Sequence, residues 1–94
     1  MNRELIEKEF RATEDYMKIS RRLKPAGMEI LLNDLQELED SIQNSGKDIT
    51  PIVLNVIRDE RRKQYSKMKP LVVFKEVLLI IDPQRLSGYW AELP

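Results

Sequence analysis

The chain contains neither cysteine nor histidine among its 94 residues. That absence removes the usual ligands for zinc, iron–sulfur clusters and haem, the thiol nucleophile, and the one side chain that titrates near neutral pH. General acid–base work would then fall to a carboxylate or lysine shifted by burial. Glycine is scarce, with three copies, and none belongs to a phosphate-cradling loop. Ser87, in RLSGY, lacks the preceding glycine of a nucleophile elbow. No catalytic residue, cofactor or metal ligand is expected, and the chain reads as a protein that is not an enzyme.

Long apolar runs are missing too. The longest, Leu71 to Ile81, spans eleven residues and is broken by Lys75 and Glu76, whereas a bilayer crossing needs roughly 20. The opening MNRELIEKEF is charged and periodic rather than an apolar signal core, so no membrane association and a cytoplasmic location are expected. A chain of this length fits one domain over residues 1–94. So small a domain has a thin stability margin and no disulfide to widen it, and self-association is one common remedy.

What the sequence does have is charge, segregated along a chain whose total is zero. Residues 1–24 carry seven basic and five acidic groups, 25–48 one and six, 49–69 six and two, and 70–94 two and three. Such segregation matters more for docking than the total does.

Helical periodicity runs through most of the chain. Leu5, Ile6, Phe10, Thr13 and Met17 predict a first helix over residues 3–22, with Tyr16, Ile19 and Leu23 extending its stripe. Glu4 with Lys8, Glu7 with Arg11, and Glu14 with Lys18 place acid before base at four residues, which reads as a solvated outer face. KPAG, Lys24 to Gly27, predicts a turn. Met28, Leu31, Leu35, Leu38 and Ile42 then form a heptad-like seam, widened by Ile30 and Leu32, that ends near Asn44, Ser45 and Gly46. Thr50 as N-cap with Pro51 behind it opens a third helix to about Lys67.

Residues 70–82, PLVVFKEVLLIID, are ambiguous: β-branched residues favour a strand, while the leading proline and the length permit a helix. A lone strand would lack a partner for its backbone hydrogen bonds unless a second copy supplied one, so a helix is expected. The fold class is accordingly all-α, a compact bundle of four helices plus a short C-terminal one. The alternative is α+β with 70–82 as a strand paired across a dimer.

Three surfaces are candidates for function. Arg58, Arg61, Arg62, Tyr65 and Lys69 gather on the basic stretch 58–69, suited to nucleic acid or an acidic partner. That stretch follows apolar Ile52, Val53 and Leu54, which belong in a core rather than against base edges. The preceding helix is acidic, at Glu29, Asp34, Glu37, Glu39 and Asp40, and is a possible pairing partner for the basic one. Asp34, Glu37 and Asp40 have a spacing that some all-helical nucleotide hydrolases use for magnesium, although the same spacing occurs on any solvated helix. In the tail, Leu86, Tyr89, Trp90 and Leu93 fall at i, i+3, i+4 and i+7, the anchor pattern of a helix in a partner's groove.

Together these features predict a non-catalytic intracellular protein-binding regulator or scaffold acting through helix contacts. A homodimer is expected, with 70–82 and the aromatic tail contributing buried surface. A small DNA- or RNA-binding regulator is the main alternative, and a magnesium-dependent nucleotide hydrolase the second.

Overall fold

A computed structural model describes residues 1–42, 46, 48–63 and 68–85 of the chain. Four helices run in order: α1 (Arg3–Met17), α2 (Pro25–Ser41), α3 (Thr50–Lys63) and α4 (Pro70–Ile81). Residues 83–85 are helical again, where the short C-terminal helix was expected to begin. Among the described residues there is no strand.

α1 starts where the Asn2 side chain accepts the Leu5 N–H at 3.1 Å, a side-chain cap for one otherwise unpaired donor. It stops five residues short of the expected end. Lys18 adopts a left-handed conformation (φ 52°) and its N–H turns back to the carbonyls of Asp15 and Glu14. This C-terminal closure needs a positive φ, which a glycine usually supplies.

Prolines stand in the first turn of all three remaining helices, with Pro51 behind Thr50 in α3. Pro25 and Pro70 each sit in the first turn of their helix, where the missing N–H costs no intrahelical bond. The predicted turn at KPAG is therefore shorter than expected: Lys24 is extended and the next three residues already belong to α2. At α3, Asp48 accepts the Thr50 N–H at 2.9 Å. The Thr50 hydroxyl in turn accepts the Asn2 N–H at 2.8 Å, so Thr50 ties the starts of α1 and α3 together.

α4 is a helix from end to end, as the missing strand partner implied. It presents Val73, Val77 and Leu78 to the interior. α1 packs against α3 and α2, and α4 against α3 and α2, while the backbones of the diagonal pairs stay farther apart, with no Cα atoms within 8 Å. The helices thus form a closed ring in the order α1, α3, α4, α2. Buried side chains from all four merge into one cluster, with Phe10, Leu35, Ile57 and Val77 among its fully buried members. Leu31, Leu35 and Leu38 of the predicted seam lie within it, so the seam is spent on packing inside the chain.

Two expected placements fail. Leu5, Tyr16 and Ile30, read as part of the apolar stripes, are exposed. Glu14, read as part of the solvated face, is buried at 2% exposure. Its neighbours in space account for this: Glu14 accepts the Leu23 N–H at 2.9 Å and pairs with Arg11 at 2.9 Å.

Candidate functional site

The basic residues of α3 are engaged within the chain. The Arg58 Nε donates to Glu9 of α1 at 3.1 Å. Arg61 lies over the Tyr16 ring, 5.5 Å from its centre, within cation–π range. Arg62 pairs with Asp59 at 3.3 Å, and Lys63 with Glu60 at 3.3 Å. The acidic second helix supplies none of these named partners. Lys69 is not on α3 either; it is the extended residue before α4 and is exposed. Tyr65 lies outside the described residues, as do Leu86, Tyr89, Trp90 and Leu93 of the aromatic tail.

On α2, Asp34, Glu37 and Asp40 are all exposed. Asp40 accepts a hydrogen bond from Gln36 at 3.0 Å. Asp34 has its pKa raised, first by partial burial and then by the charge of Glu37. Among the described residues, no group of three or more carboxylates is placed to hold a metal ion.

The structure brings together two depressions that the sequence reading did not anticipate. The first is a groove of about 350 Å³ between α2 and the start of α4. Ile30 and Leu31 line it from α2, Leu71 and Phe74 from α4, with Asp34 and Lys69 also contributing to its lining. Ile30 is 60% exposed and Leu71 40% exposed. Among the described residues, one acid and one base interrupt an otherwise apolar wall. No sequence signal separated the two residues that widen the α2 seam: Leu32 is buried, whereas Ile30 is exposed on this groove.

The second is a cleft of about 590 Å³ where the α1–α2 connection meets the start of α4. Arg21, Arg22, Lys24 and Lys69 line it together with Leu23 and Met68, and among the described residues no acidic one does. Arg22 pairs with Asp15 outside that lining. Lys24 and Lys69 immediately precede α2 and α4, and neither supplies a side-chain cap to its helix. The positive ends of two helix dipoles therefore add to four cations. Gly27 lies between the two depressions; a Cβ there would come within 2.7 Å of the Leu23 side chain.

A third cluster is structural. Glu39 accepts the Ile49 N–H at 3.0 Å and the Met1 ammonium at 3.0 Å. Partial burial alone would raise the Glu39 pKa, but hydrogen bonds from Ile49, Met1 and Gln36 outweigh it and hold it low. The Asp48 pKa is also lowered, chiefly by the Thr50 hydroxyl and N–H. The Met1 ammonium is raised, mainly through its hydrogen bond to Glu39.

The fold and these surfaces define an all-α bundle whose described helices are all too short or too polar to cross a membrane. No protein-family model, no curated protein and no solved structure matches the chain.

Proposed function

We propose that this protein is a non-catalytic, protein-binding regulator or scaffold, and that the α2–α4 groove receives an apolar helix of its partner. The observation that carries this reading is the exposure of Ile30 and Leu71 on an apolar groove that also includes Phe74. Completing their burial under a partner helix would recover a part of the roughly 1.5–3 kcal/mol that fully burying a large aliphatic side chain is worth. Asp34 and Lys69 supply one charge of each sign for orienting that helix. The test is capture from the native cell extract by the wild type and by Ile30→Glu and Leu71→Glu. Both positions are exposed, so helical circular dichroism should persist while a captured protein is lost, and the purified partner should bind the wild type alone in calorimetry. Capture that is indifferent to both substitutions would refute the reading.

A second reading, a small DNA- or RNA-binding regulator, is favoured by the basic cleft rather than by the expected face of α3. Four cations around one depression suit a polyanion. Binding should then weaken steeply with salt and disappear in Lys24→Glu and Lys69→Glu, while Arg62→Glu changes it little. Absence of any duplex or single-stranded complex at low salt would remove this reading.

A further inference from the structure

The basic cleft gathers charge that the fold itself leaves uncompensated. Arg22 has Asp15 as a partner, whereas Arg21, Lys24 and Lys69 have no ion pair among the described residues. Like charges around a concavity repel one another, and its low-dielectric walls concentrate their field. The wall is also fixed in advance. The Leu23 N–H donates to Glu14 at 2.9 Å and its carbonyl accepts from Arg11 at 2.5 Å, while Gly27 leaves the Leu23 side chain room that a Cβ would take away. Leu23 and Met68 add apolar surface alongside the cations.

We propose that this cleft binds a small organic polyphosphate of the nucleoside di- or triphosphate kind. Its phosphoryl oxygens take charge-assisted hydrogen bonds from Arg21, Lys24 and Lys69, and its apolar moiety lies on Leu23 and Met68. The size agrees: about 590 Å³ falls within the roughly 300–1,000 Å³ of small-ligand sites. A nucleic-acid strand would instead need a basic track continuing over several nucleotides. Arg58, Arg62 and Lys63 of α3 do not extend one, because Glu9, Asp59 and Glu60 already pair with them. On the other side of Gly27, the adjoining groove carries Asp34. The cations are therefore confined to a pocket rather than strung along a surface.

This inference goes beyond the nucleic-acid reading, sharing its cleft but not its polymer. The experiment is titration calorimetry of the full chain at physiological salt with four probes: ATP, inorganic tripolyphosphate, adenosine and a single-stranded oligonucleotide. ATP should bind once per chain, tripolyphosphate more weakly because it has nothing to lay on Leu23 and Met68, and adenosine not at all. Lys24→Glu and Lys69→Glu, both at exposed positions, should each raise the Kd for ATP by about tenfold or more with unchanged helical circular dichroism. Arg62→Glu, outside the cleft, should change it less than about twofold. Amide shifts on adding ATP to the wild type should centre on residues 19–27 and 68–70. No ATP binding overturns the inference, as does binding that survives both lysine reversals, shifts centred elsewhere, or tripolyphosphate held as tightly as ATP. An oligonucleotide complex without ATP binding overturns it and leaves the nucleic-acid reading standing, and ATP binding without an oligonucleotide complex does the reverse.

Discussion

The buried carboxylate of Glu14 accepts the backbone N–H of Leu23, nine residues along the chain, at 2.9 Å. Arg11 closes the unit by donating both to Glu14 and to the Leu23 carbonyl. The connection between α1 and α2 is thereby held by side chains of α1, and it carries the Leu23 wall of the basic cleft with it.

Glu14→Ala leaves the Leu23 N–H and the Arg11 guanidinium without their acceptor, so the urea midpoint should fall by an amount equivalent to about 2–3 kcal/mol. The double variant Arg11→Ala/Glu14→Ala should cost less than the sum of the two single ones, because the second change removes a cation already stranded.

The Thr13 hydroxyl is fully buried and has no hydrogen-bond partner among the described residues. Thr13→Val keeps the shape and removes the desolvated hydroxyl, with similar helix propensity. It should stabilise the protein by about 1 kcal/mol, seen as a higher urea midpoint with an unchanged m-value.

Lys18 holds a left-handed conformation at φ 52°, which costs an L-residue with a Cβ roughly 1–2 kcal/mol. Lys18→Gly relieves that strain but gives the unfolded chain more freedom. The net expectation is stabilisation of up to about 1 kcal/mol in thermal and urea unfolding, whereas Lys18→Val should destabilise.

Glu39 and Asp48 hold their protons less readily in the folded chain than their ordinary pKa values of 4.5 and 3.8 imply. Their contribution to stability is therefore complete above those ordinary values and is lost as pH falls through the lowered folded ones. The Met1 ammonium, raised above its ordinary 8.0, works in the opposite sense: its contribution is complete below that value and fades as pH rises through the folded pKa. Glu39→Gln should flatten both the acid and the alkaline limbs of stability against pH, measured by urea unfolding at each pH.

The helical class of this protein was legible because each helix carries its own period of buried residues, and because Pro25, Pro51 and Pro70 stand at helix starts, where a missing N–H does no harm. The 70–82 segment shows where that legibility ended. Its β-branched residues argue for a strand locally, and only the lack of a hydrogen-bonding partner elsewhere in the chain pointed to the helix the structure contains. The early end of α1 was hidden for a related reason: Lys18 does not belong to a residue type that favours positive φ, and its conformation accompanies the Glu14–Leu23 clasp.

The candidate surfaces were legible only as faces. Periodicity states which residues share a side of a helix, and nothing in it names the element opposite. The sequence by itself determined an all-α chain, most of its core residues and the want of histidine and cysteine chemistry. Only the tertiary structure decided that the ring runs α1, α3, α4, α2, since that order depends on how four apolar stripes close against one another at once. The same closure separates acidic α2 from basic α3, gives Arg58 to Glu9 of α1, buries Glu14, and leaves Ile30 and Leu71 together on one open groove.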